Sequence, residues 1–460
     1  MAKPVKFTLV VAVLSLCWGG VAPAGDVAIE YQRMADDGST GEFYVATGTS
    51  FVECTTAAPE GPWRIPALKS EKPLYGKVTL GGKDRLLVLD RSETQDKFFN
   101  RVFFDGNGNG DLIDDPIVKS EAEEGGVVIN DGAFFRSQPV DIKIAVDGGE
   151  VPYSFRIVTY PTMFVTTTAD GKEEVQIGEP ENVTCYLQGN CFYRGKLTLG
   201  ETTYTLLLSD WNVNGRFDER ATYTVKTAQG ETRYARPVGD TIAMVAGTQA
   251  DYSDFTALGD VLSIEGEPYR MRLDILGKRL SLDPLAQGSV KEGLGTVELF
   301  TYTERLCLES KDGEHFVVAY FPGNRFTVPA GSYRLASYIV KKRDTEGDLW
   351  MLAADGNAEV KSIDVAAGAT AQLDFGEPYS PEVTVAEWAR KQFVQKATRS
   401  LTLSFQIRGS AGETVSNLTR VSGTKSRIPL DKSQRRPQEP TYKIMKATGE
   451  MVASGSFEYG

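Results

Sequence analysis

Oxygen-bearing side chains recur at every second position in Asp105-Gly106-Asn107-Gly108-Asn109-Gly110-Asp111, and Asp114 and Asp115 follow closely. Carboxylate, amide and carbonyl oxygens gathered around a glycine turn suit a hard cation, and Ca²⁺ above all. A second copy runs from Asp210 through Asn212, Asn214, Gly215 and Arg216 to Asp218 and Glu219. It has fewer carboxylates and an arginine inside it, so weaker binding is expected there. The same composition also suits a plain turn, because Asn and Gly tolerate left-handed backbone. Recurrence of the pattern favours the cation at both places, and more so at the first.

The spacing resembles the calcium loops of EF-hand and dockerin-type proteins. Such a loop takes oxygens at positions 1, 3 and 5, glycine at 6, a backbone carbonyl at 7 and a closing carboxylate at 12. Asp105, Asn107, Asn109, Gly110 and the carbonyl of Asp111 match, and Leu112 falls where an apolar residue packs inward. Position 12 is Pro116, so Asp114 or Asp115 must close the loop. Proline disfavours helix at the residue before it, which implies a strand exit. In the second loop Asp210, Asn212, Asn214 and the carbonyl of Arg216 match, Phe217 points inward, and Asp218 or Glu219 closes.

Catalytic readings fare less well. Paired carboxylates hydrolyse glycosides when they face each other across a sugar, whereas here they crowd into one short loop. His315 is the chain's single histidine, so neither a Ser-His-Asp triad nor a histidine-rich zinc site is readily built. Phosphate-binding and nucleophile-elbow motifs are absent. No catalytic residue is assigned. Trp63, Trp211, Trp350 and Tyr338 are candidates for stacking on sugar rings, although aromatics in β-sandwiches are more often core.

The segments that must hold the loops read as strands. Gly76-Lys77-Val78-Thr79-Leu80-Gly81 matches Gly195-Lys196-Leu197-Thr198-Leu199-Gly200, and a strand follows each before the loop. Downstream, Gly149-Glu150-Val151-Pro152-Tyr153 matches Gly266-Glu267-Pro268-Tyr269. Three elements in the same order point to an internal duplication, residues 76–157 and 195–273. Arg270-Met271-Arg272-Leu273 alternates polar and apolar, as an antiparallel strand with one wet face does. The expected fold class is mainly β, with several antiparallel β-sandwich-like domains.

The expected units are a signal peptide at 1–24, a β domain with the first loop at 25–170, and one with the second loop at 171–285. A sandwich follows at 286–378 and a C-terminal β domain at 379–460. Phe326-Thr327-Val328-Pro329-Ala330-Gly331-Ser332-Tyr333-Arg334-Leu335 and Val365-Ala366-Ala367-Gly368-Ala369-Thr370 give residues 293–376 turns that resemble the prealbumin-like sandwiches of carboxypeptidase regulatory-like domains. That resemblance implies a structural module without catalysis. Residues 387–396 could form a helix, and 420–439 read as a polar loop.

Lys3 and Lys6, an apolar run from Phe7 to Trp18 and Ala22-Pro23-Ala24 have the order of a cleavable signal peptide. The run is shorter than the ~20 residues of a membrane span. Export to the periplasm, cell surface or medium is therefore expected, where disulfides persist. Cys185 and Cys191 are expected to pair around a turn, which leaves Cys54 and Cys307. A net charge of −12 and only short basic clusters argue against nucleic acid. The leading expectation is an exported, calcium-stabilised β protein with a structural or binding role toward a glycan or cell-surface component. The alternative is an extracellular polysaccharide hydrolase or its accessory subunit.

Overall fold

Four consecutive apolar residues, Leu86-Leu87-Val88-Leu89, occupy a strand that lies between two cores. In the computed structural model Leu87 and Leu89 join the main core with Phe104 and Phe155. Leu86 and Val88 face the other way, into a smaller cluster with Phe103, Leu112 and Trp63. A strand buried on both faces needs such a run, whereas one with a wet face alternates. Leu74–Leu80, its hairpin partner, does alternate, with Lys77 and Thr79 outward and Val78 and Leu80 buried.

The structure describes residues 25–34, 45–93, 98–121, 127–129, 132–167, 173–177, 182–199, 201–227, 230–246, 254–286, 293–357, 360–385, 387–395, 403–423 and 429–457. The expected signal peptide, 1–24, lies outside them. Strands dominate, and the sheets are mostly antiparallel. Glu387–Val394 is the one helix among the described residues, and no helix there is long and apolar enough to cross a membrane.

One large sheet holds sixteen strands. Its path runs from Phe255–Ala257 through Thr241–Ala246, Thr202–Ser209, Cys191–Leu199 and Asp26–Arg33 to Arg279–Pro284. It continues through Glu267–Asp274, Val261–Ile264, Phe316–Tyr320, Arg305–Ser310 and Gly331–Arg343, and ends on the strands of the C-terminal region. A four-stranded sheet contains Leu74–Leu80, Lys83–Asp90 and Arg101–Phe104. A six-stranded sheet contains Val140–Val146, Gly149–Pro161 and Val183–Gly189. All three sheets contribute to the main core: Leu80 and Phe104 from one, Tyr153 and Leu187 from the next, Tyr193 and Leu206 from the largest. A second core joins Val297, Phe326 and Leu373 of a three-stranded sheet to Leu308, Val317 and Tyr338 of the large one.

The matched hairpins form in the same register. Gly76 faces Leu87 in the first and Gly195 faces Leu206 in the second. The downstream pair also forms, Val140–Val146 with Gly149–Pro161 and Val261–Ile264 with Glu267–Asp274. Here the backbone aligns Gly148 with Gly266, at φ 88 and 92, and not Gly149. The surroundings differ. Arg101–Phe104 joins the first hairpin before its loop, and Thr241–Ala246 joins the second after its loop. The likeness is thus one of hairpins and loops, and these strand orders do not show a duplication of the whole unit.

The expected Cys185–Cys191 bridge is not formed. All four cysteines outside the first 24 residues are free thiols. Cys185 faces Thr159 and Val52 in the six-stranded sheet, whereas Cys191 faces Arg33 in the large one. Only Asn190 separates their two strands. Strands advancing ~3.3 Å per residue carry the two cysteines apart into different sheets, and a bridge needs Cα atoms within about 7 Å. Cys185 instead hydrogen-bonds Cys54, and Cys307 lies 3.3 Å from the Thr256 hydroxyl.

Candidate cation loops

The first loop leaves the strand Arg101–Phe104 and turns at once. Asp105 is fully buried, and its Oδ2 accepts the Gly110 amide at 3.2 Å. Asn107 Oδ1 accepts the Asn109 amide, Asn109 Oδ1 the Asp111 amide and Asp111 Oδ1 the Ile113 amide, at 2.9, 2.7 and 3.1 Å. These successive Asx turns are what the alternation of oxygen side chains encodes. Gly108 and Gly110 take φ of 69° and 81°, which only glycine adopts readily. Leu112 is buried against Leu86, Val88 and Phe103 and fixes the exit.

Asp114 receives the amide groups of Asn107 and Asn109, at 3.2 and 2.8 Å. Asp115 points inward and accepts the amides of Gly106 and Asn107, while burial and the charges of Asp105 and Asp114 raise its pKa. Asp105 Oδ1 and Asp115 Oδ2 are buried without a hydrogen-bond partner. Asp111 pairs outward with Arg64. The guanidinium of Arg85 lies beneath the loop, where Nη1 donates to the carbonyls of Asp105, at 3.0 Å, and Gly106.

The second loop follows the strand Thr202–Ser209 directly. Asp210 is buried. Its Oδ2 accepts the Gly215 amide and the Tyr153 hydroxyl, both at 2.7 Å. Burial pushes its pKa up to about 6, against the pull of those bonds. Asn212 and Asn214 both donate to Glu219 Oε2, the latter at 2.7 Å. Phe217 is inward as expected, edge-on to Tyr193 with ring centroids 5.0 Å apart. The ligand expected from Arg216 is its backbone carbonyl, and its side chain and that of Asp218 lie at the outside of the loop. They pair with each other at 3.1 Å and are half exposed. Gly215 at φ 87° rests on the strand Val140–Val146 and on the turn of the first hairpin, where a Cβ would come within 2.2 Å of Ile144 and 3.1 Å of the Gly81 nitrogen. The Gly81 amide donates to the Asn214 carbonyl at 2.7 Å.

A residue not recognised in the sequence completes this cluster. Asp240, 1% exposed, begins the turn into Thr241–Ala246. Its Oδ2 accepts the Glu219 amide at 2.7 Å, and its carboxylate also accepts the Trp211 amide. Burial first, then the charges of Asp210 and Glu219, push its pKa up to about 9. Asp240 Oδ1 and Asn212 Oδ1 are buried and unpartnered. Val238-Gly239-Asp240-Thr241 looks in sequence like any strand-joining turn, so no local signal singled it out.

Among the described residues no group of three or more His, Cys, Asp or Glu side chains is placed to hold a metal by itself. A cation at either loop would therefore also draw on Asn amides and backbone carbonyls. His315 bonds Asp260 at 2.7 Å beside a strand, as a structural histidine does. Comparison with protein-family models, with curated proteins and with solved structures finds no match.

Proposed function

We propose that this chain is an exported β protein whose two Asx-rich loops bind Ca²⁺, and whose role is structural or binding, toward a glycan or cell-surface component. The observation that carries the cation reading is the orphaned oxygens. Asp105 Oδ1 and Asp115 Oδ2 in the first loop, and Asn212 Oδ1 and Asp240 Oδ1 in the second, are buried with no donor. Burying an unpaired carboxylate oxygen is costly, and a bound divalent cation offsets that cost. The donor set of carboxylate, amide and carbonyl oxygen suits a hard cation. Bound metal would then contribute folding free energy, because the unfolded chain holds no preformed site.

The signal-like pattern of residues 1–24 supports export. The hydrolase alternative draws less support. Asp105, Asp114, Asp210 and Glu219 are all bonded within their own loops, and not set opposite one another across a cleft. Thermal melts of the protein with calcium and with EGTA test the reading. Calcium should raise Tm, and Asp105→Ala and Asp210→Ala should each remove part of the rise. Identical melts in calcium and EGTA would sink it.

A further inference from the structure

The two loops differ in their internal counter-charge. Beneath the first loop, Arg85 Nη1 bonds the carbonyls of Asp105 and Gly106. The guanidinium carbon lies 3.2 Å from where a Cβ on Gly108 would sit. A positive charge is thus built in beside Asp105 and Asp115. In the shared hairpin register, Arg85 faces Val78 and its counterpart Tyr204 faces Leu197. Tyr204 turns away to bond Glu265 at 2.8 Å. In the Asp210–Glu219 segment the one arginine, Arg216, has its side chain turned to Asp218 on the exposed side, from where its charge still reaches Glu219 and Asp240.

The second loop also has one more carboxylate than its own segment supplies. Asp240 arrives from outside the Asp210–Glu219 segment and accepts amides at both ends of the loop, Trp211 and Glu219. Asp210 and Glu219 both lie within electrostatic reach of Asp240. Asp240 is 1% exposed and one of its oxygens has no partner. We infer that Asp210, Asn212, Asn214, Glu219 and Asp240 form a five-residue calcium site, tighter than the site at the first loop. The inference rests on the calcium reading of both loops and reverses the ranking that the loop sequences suggest. Each loop gathers three carboxylates, those of the first being Asp105, Asp114 and Asp115, so the guanidinium of Arg85 beneath the first loop is what lowers a divalent ion's gain there.

Each loop carries its own reporter. Trp211 lies within the second loop, and Trp63 Cε3 lies 3.7 Å from a Cβ placed on Gly110 of the first. Terbium, a calcium surrogate excited through nearby indole, can be titrated into EGTA-stripped full-length protein and displaced with calcium. Trp63→Phe isolates the second loop, Trp211→Phe isolates the first, and the double variant is the blank. The calcium Kd obtained from the terbium affinity and the displacement midpoint together should be lower at the second loop than at the first. Asp240→Asn in the Trp63→Phe background should weaken binding by about tenfold or more. The same substitution in the Trp211→Phe background should leave the first loop's titration unchanged, which also shows that the variant folds.

An unchanged midpoint for Asp240→Asn at the second loop would overturn the inference, and so would tighter binding at the first loop. In both cases calcium still binds and the reading of the loops survives. Absence of sensitised emission from either tryptophan, with melts insensitive to EGTA, would overturn both.

Discussion

Asp240 and Glu219 clasp each other through two bonds. The Glu219 amide donates to Asp240 Oδ2 at 2.7 Å, and the Asp240 amide donates to the Glu219 carbonyl at 2.9 Å. The clasp ties the end of the second loop to the turn before Thr241–Ala246, so the loop's closing carboxylate is positioned by a strand of the large sheet. The first loop has a different support. Its closing residues Asp114 and Asp115 turn back onto Asn107, Asn109 and Gly106 of the same loop.

Calcium should stabilise the protein in proportion to the logarithm of its free concentration once the tighter site is filled. At a hundred times Kd, linkage gives about 2.7 kcal/mol for one site. Chemical denaturation at several calcium concentrations checks this, and a midpoint independent of calcium contradicts it.

Tyr153→Phe should destabilise the second loop without altering its shape. The hydroxyl donates to the buried Asp210 at 2.7 Å, and loss of a hydrogen bond to a charged group costs about 1.5–3 kcal/mol. Urea melts measure the loss. A cost below a few tenths would mean that Asp210 is satisfied without the phenol.

Neighbouring residues of the first loop should behave oppositely. Leu112 is 1% exposed and packs on Phe103, whereas Ile113 is 56% exposed. Leu112→Ala should cost about 2–5 kcal/mol, and Ile113→Ala about 0.5 kcal/mol or less. Equal costs would show that the loop does not seat as described.

The thiols should differ in reactivity. The Cys185 hydrogen bond lowers the pKa of the half-buried Cys54, while Cys185 itself is raised well above its usual value. Burial pushes Cys191 up to about 12. The thiolate is the reactive form. Iodoacetamide at neutral pH should therefore alkylate Cys54 first in the reduced, folded protein, with Cys191 modified only on unfolding. Peptide mass mapping reads the order, and equal labelling of the two would refute it.

The loops were legible in the sequence because their geometry is local. An Asx turn needs only a side chain and a backbone amide two residues on, so Asn107, Asn109 and Asp111 announce themselves. Leu112 and Phe217 were legible as inward residues for the same reason. The part played by Arg85 and Asp240 was not. Arg85 reaches its loop from another strand and Asp240 from the turn before one, and sequence spacing carries no record of either approach.

Sequence by itself determined the elements. Alternation fixed strands such as Leu74–Leu80, and positive-φ glycines fixed the turns, because both follow from the backbone of a few adjacent residues. The pairing of those strands was decided only in the folded chain. It set Cys185 beside Cys54 and away from Cys191, joined Arg101–Phe104 to one hairpin and Thr241–Ala246 to the other, and brought Asp240 onto Asp210 and Glu219. Those neighbours are distant along the chain. Burial of a core shared by three sheets selects them, and that is a property of the whole fold and not of any one segment.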